Sequence, residues 1–127
     1  MKGYTNFDQS AFLCSHGIDP VTADAYIIGM KEYHLIKEGD TFPRISREFS
    51  KGYCIPCWSA FALFDTLPET ITVDDKEYTL KLTKRKIVYS RSETDVLVVS
   101  DITTKSNVIS AIINIIALLK LRGIGLF

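Results

Sequence analysis

The chain has 127 residues and a mass of 14.3 kDa, with 46% hydrophobic and 24% charged side chains, which suits one globular domain with its own core. Fifteen basic and fifteen acidic residues cancel and the sequence pI is near 6.7, so an attraction of the whole surface to nucleic acid or to a membrane has no support in the composition. The opening MKGYTNFDQS lacks the apolar core of a secretory signal, and three cysteines are an odd count for a disulfide-stapled secreted domain, so a cytoplasmic protein is expected.

Taken in chain order, Asn6 and Gln9 stand three apart before an apolar run, a capping-box spacing that predicts a helix over Phe7 to His16. Gly17 would end it and let Ile18 fall back on Leu13. Asp19-Pro20 suits the cap and first position of a further short turn. The runs Ala25 to Met30 and Tyr33 to Ile36 carry aromatic and β-branched residues, which predicts extended or partly helical structure with a bend at Gly29. From Lys37 to Tyr53 the chain is polar and broken by Gly39 and Pro43, leaving room for a helical turn near Ile45 to Phe49. Pro56 then suits the entry of a helix that Pro68 would stop, with Trp58 as a core anchor whose indole N–H needs a partner.

After Pro68 the hydrophobic period changes from 3.6 to 2. Thr70 to Val73, Tyr78 to Leu82, Lys86 to Ser90 and Asp95 to Ser100 read as strands joined by short polar turns, hence as antiparallel neighbours. Tyr78, Leu80 and Leu82 share one face and Thr79, Lys81 and Thr83 the other, which predicts a sheet packed on one side only. The stretch Ser106 to Gly123 is apolar around most of its circumference, with a polar stripe of Asn107, Ser110 and Asn114. Thr104 or Ser106 could cap this helix, and Gly123 with Ile124 would close it against Leu119. Laid on the sheet it forms a core; an uncovered part of it would suit a homodimer interface. Asn107, Asn114, Lys120 and Arg122 interrupt it too often for a membrane span. The expected fold is therefore a small single α+β domain over 1–127: a mostly helical and loop region over 1–68, then an antiparallel β-meander packed against a C-terminal helix over 69–127.

Little in this pattern carries chemistry. Cys54-x-x-Cys57 ahead of a helix resembles the thioredoxin dithiol, because a helix N-terminus would stabilise a thiolate, but no strand of a βαβ unit precedes it. Cys14 and His16 together with Cys54 and Cys57 would make four zinc ligands of suitable softness, although Cys-x-His is an unusual pair. Thr83-Lys-Arg-Lys86, with Lys81, Tyr89 and Arg91, could meet a phosphate backbone, yet lysines in a hairpin serve equally to keep a sheet soluble. His34 reads as a packing residue and Asp74-Asp75 as turn chemistry. No Ser-His-Asp order, glycine-rich phosphate loop or spaced catalytic carboxylate pair is present.

The order Asp19-Pro-x-Thr22-Ala-Asp24, then Ile55-Pro-Cys-Trp-Ser59 leading to Leu67-Pro68, then hairpins and a helix ending Leu119-Lys-Leu-Arg-Gly123, resembles short uncharacterised proteins of phages and mobile elements of Bacteroides-type gut bacteria. The likeness runs from about Asn6 to Gly123, and it implies an accessory gene product without implying an activity. The expected function is a non-catalytic protein-interaction module with an unknown protein partner or a second copy of itself. Neither a cofactor nor a nucleic-acid partner is expected. The alternative is a thiol-redox or zinc protein built on Cys54 and Cys57.

Overall fold

The computed structural model describes residues 3–102 and 108–127, and its first helix begins where the Asn6/Gln9 spacing puts it. At the head of α1 (Phe7–Ser15) the Gln9 N–H donates to Asn6 Oδ1 at 2.8 Å and the Asn6 N–H donates back to Gln9 Oε1 at 2.9 Å. Two of the four free donors of the first turn are thereby satisfied. At the other end Gly17 takes φ +84° and the Ile18 N–H reaches the Leu13 carbonyl at 3.3 Å, the Schellman stop expected from Gly17-Ile18.

The chain divides into two compact units, 1–66 with Phe127, and Leu67–Leu126. In the first unit β1 (Ala25–Ile28) lies between β2 (Glu32–Leu35) and β3 (Cys54–Cys57), and both pairings are antiparallel. Ala25, Ile27 and Cys57 point into the core with Tyr33 and Ile55 packed around them, which is the period-2 alternation of a half-buried sheet. Three strands of four residues thus stand among the helices and loops of the region up to residue 68, and of the two alternatives for Ala25 to Met30 and Tyr33 to Ile36 the extended one is realised. The helix expected to start at Pro56 is corrected: Cys54–Cys57 is an edge strand in register with β1, and Pro56, opposite Tyr26, sits where the missing N–H costs least. The helix begins later, as α3 (Ala60–Asp65), where Ser59 Oγ accepts from the Ala62 N–H at 3.1 Å.

Two further shifts are small. Helix α2 (Phe42–Ser46) starts ahead of the expected turn because Pro43, read as a breaker, occupies its first turn, where a missing N–H is harmless. Asp19 caps a 3-10 turn over Pro20–Thr22 by accepting from the Val21 N–H at 3.0 Å. That turn delivers Thr22 to the fully buried Trp58, whose Nε1–H donates to Thr22 Oγ1 at 2.9 Å. The Trp58 main chain is bound to Thr5 as well: its N–H donates to Thr5 Oγ1 at 3.0 Å and its carbonyl accepts from the Thr5 N–H at 2.8 Å.

In the second unit β4 (Thr70–Val73), β5 (Lys76–Leu82), β6 (Lys86–Ser90) and β7 (Val96–Asp101) form an antiparallel meander in sequence order. Asp74 and Asp75, at φ +51° and +64°, make the two-residue turn between β4 and β5. Helix α4 (Val108–Leu121) lies on β6 and β7 with Ile112, Ile115 and Leu119 fully buried. It reaches the sheet through Asn114 Nδ2, which donates to Ser100 Oγ at 3.0 Å. Gly123 at φ +78° and an Ile124 N–H bond to the Leu119 carbonyl at 2.9 Å close the helix. The expected caps Thr104 and Ser106, and Asn107 of the polar stripe, lie outside the described residues. Among the described residues no helix is long and apolar enough to cross a membrane.

Candidate functional site

The three cysteines do not converge. Cys14 is exposed on the last turn of α1, while Cys54 and Cys57 are buried free thiols at the two ends of β3. Three residues apart on a strand, Cys54 and Cys57 project to opposite faces. Helix α3 begins only at Ala60, with Ser59 as its cap, so both cysteines belong to the strand and neither stands in the first turn of a helix, the position from which the motif was expected to draw its activating field. Burial instead pushes both thiols up, and Cys57, fully buried and near the Asp24 carboxylate, is raised to about 12. Such thiols are protonated at neutral pH and poorly nucleophilic.

The four-ligand zinc set is corrected with them. His16 caps α1, its Nδ1 lying 2.8 Å from the Phe12 carbonyl and its ring 4.0 Å from that of Phe12. Among the described residues no three His, Cys, Asp or Glu side chains gather as a metal site, so Cys14, His16, Cys54 and Cys57 are not brought together. His34, the other histidine, stacks on Tyr26 with ring centroids 5.2 Å apart and meets Glu32 Oε1 at 2.8 Å. The β1–β2 pairing sets this stack, because Tyr26 and His34 are direct cross-strand partners.

The remaining candidate is the face of the four-stranded sheet opposite α4. Ser100 marks the α4 side; its pairing with Ile87, together with Tyr89 opposite Val98, puts the large apolar side chains there. Lys81 opposite Val88, and Thr79 opposite Ser90, lie on the other side. There a groove of about 470 Å³ opens, with Val88 and Ser90 at its floor, Lys81 and Lys86 at one end, and Glu93 and Val96 toward the other. Residues of the turns at both ends of β6 line it, Thr83 on one side and Ser92 and Glu93 on the other. Thr83 accepts from the Arg85 and Lys86 N–H groups at 3.2 and 3.1 Å, tying down the β5–β6 turn. The Arg91–Asp95 ion pair at 3.0 Å and the Asp95 N–H bond to Ser92 Oγ at 3.1 Å tie down the β6–β7 turn.

Charge on this face is uneven. Arg91 is neutralised by Asp95, whereas Lys81, Lys84, Arg85 and Lys86 have no ion-pair partner among the described residues. The alternation of β5 exposed the basic side of this site to sequence reading through Lys81 and Thr83. Val88, Ser90, Glu93 and Val96 were missed, because a floor made by three strands has no local signature. Searches of protein-family models, of curated proteins and of solved structures find nothing that matches this chain.

Proposed function

We propose that this chain is a small non-catalytic protein-interaction module, an accessory product of a phage or mobile element, that holds its partner on the sheet face opposite α4. One observation carries this reading: a four-stranded sheet with one face given to α4 and the other holding a groove lined in part by Val96, with Val99 on the same face opposite Val88, each 42% exposed. Exposed valines on a sheet, beside lysines with no ion-pair partner among the described residues, suit recognition of another chain better than solvation alone. The partner is a protein of the host or element, or a second copy of the chain.

The test is a photocrosslinking amino acid placed at Val96 in the groove and, as control, at Lys76 beside the β4–β5 turn, in cells of the natural host. A discrete adduct from Val96 and not from Lys76 is expected, and an adduct of twice the chain mass would identify the partner as a second copy. Equal adducts from both positions, or none from Val96, would overturn the proposal.

A further inference from the structure

Resting on that reading, the geometry points to a specific class of partner: we infer that the groove takes an extended acidic peptide segment of Glu-x-Glu or Asp-x-Asp pattern, its carboxylates on Lys81 and Lys86 and its apolar side chains over Val88 and Val96.

Three features converge on this. Lys86 lies across the ladder from Lys81 and two residues along, since Lys81 pairs with Val88. Diagonal neighbours of that kind are about 7–8 Å apart. Side chains on one face of an extended peptide recur about every 6.8 Å, so two acidic residues separated by one match the spacing of the two lysine positions.

Ser90 supplies the second feature. It is only 5% exposed, and its hydroxyl has no hydrogen-bond partner within the described chain. Among the described residues no wholly enclosed side-chain oxygen or nitrogen is left unsatisfied, so Ser90 Oγ opens into the groove it lines. A peptide main-chain group laid over the floor would complete it.

Charge is the third. Lys84 and Arg85 extend the positive field beyond the Lys81/Lys86 end, and Glu93 at the opposite end disfavours acidic residues there, which fixes the direction in which charge must be distributed along the ligand. A single-stranded nucleic acid fits the face less well. Bases need aromatic platforms, and Tyr78 and Tyr89, the tyrosines of β5 and β6, are buried on the α4 side of the sheet.

The experiment is titration of the 15N-labelled full chain with the end-blocked hexapeptide Glu-Ser-Glu-Ser-Val-Ser, whose two carboxylates and valine share one face when extended, against the same peptide with lysine at both glutamate positions and against a short oligothymidylate. Saturable amide shifts centred on Val88, Ser90 and Val96 are expected with the acidic peptide alone. K81E/K86E should weaken its binding at least tenfold while leaving the remaining amide spectrum in place, and S90A should weaken it about fivefold, the loss of one hydrogen bond. Absent shifts, shifts elsewhere, equal binding by K81E/K86E, or tighter binding of oligothymidylate at the same amides would each overturn the assignment. A Val96 crosslink to a cellular protein combined with no binding of the acidic peptide would remove the peptide class and leave the interaction module standing. Peptide binding without a Val96 adduct would do the reverse.

Discussion

Trp58 shows how much of the first unit depends on a single side chain. It is fully buried, its ring N–H is bound to Thr22 and its main chain is bound on both sides to Thr5, so it joins the N-terminal segment, the 3-10 turn and β3. W58A should cost about 3–5 kcal/mol, the usual penalty for emptying a buried aromatic site, read as a lowered urea midpoint. Cys57 makes the opposite kind of demand. Its thiol is held up at about 12 against an ordinary 9.0, so the native state keeps the proton over a range in which the unfolded chain releases it. Stability from this group is therefore fully present below about pH 9 and is lost as pH rises toward 12. Denaturation across that interval should show a falling midpoint, with a shallower fall in C57A despite the lower starting stability of that variant. A fall of equal slope in C57A would assign the effect to other groups.

At the level of the element, turn and cap chemistry govern the second unit as strongly as packing does. Asp74 and Asp75 both adopt left-handed backbone angles, tolerable for aspartate but better served by Asn-Gly. D74N/D75G should raise stability by about 0.5–1 kcal/mol in thermal unfolding, and a decrease would mean that the aspartates have a role beyond the turn. Gly123 is the matching position on α4. Nothing lies within 4 Å of where its Cβ would be, so G123A meets no clash and its cost, about 1–2 kcal/mol, is that of the left-handed conformation alone.

For the whole molecule the balance of charge decides behaviour that no single site explains. With equal numbers of acidic and basic residues and a pI near 6.7, nothing at that pH repels one copy from the next. Light scattering of a concentrated solution should be highest near pH 6.7 and fall on either side, and a flat profile would show that surface patterning outweighs net charge. The four cations in and beside the β5–β6 turn that have no ion-pair partner among the described residues are thus a local field on a neutral background, screened over about 8 Å at physiological salt. Such a field discriminates between partners at short range and does not draw polyanions from a distance.

What sequence alone determined here is whatever is written within a few residues: the Asn6/Gln9 box, the two Schellman stops at Gly17 and Gly123, the Asp74-Asp75 turn, and the meander whose strands alternate with period 2. The box, the stops and the turn each rest on a backbone group and a partner about a turn away, and the meander rests on an alternation legible strand by strand. Only the tertiary structure decided that Cys54–Cys57 is a strand, because its partner β1 lies almost thirty residues earlier and pairing overrode the helix-entry signal of Pro56. It also decided that Val88, Ser90 and Val96 share a groove with Lys81 and Lys86, since three strands must be in register before their side chains can meet.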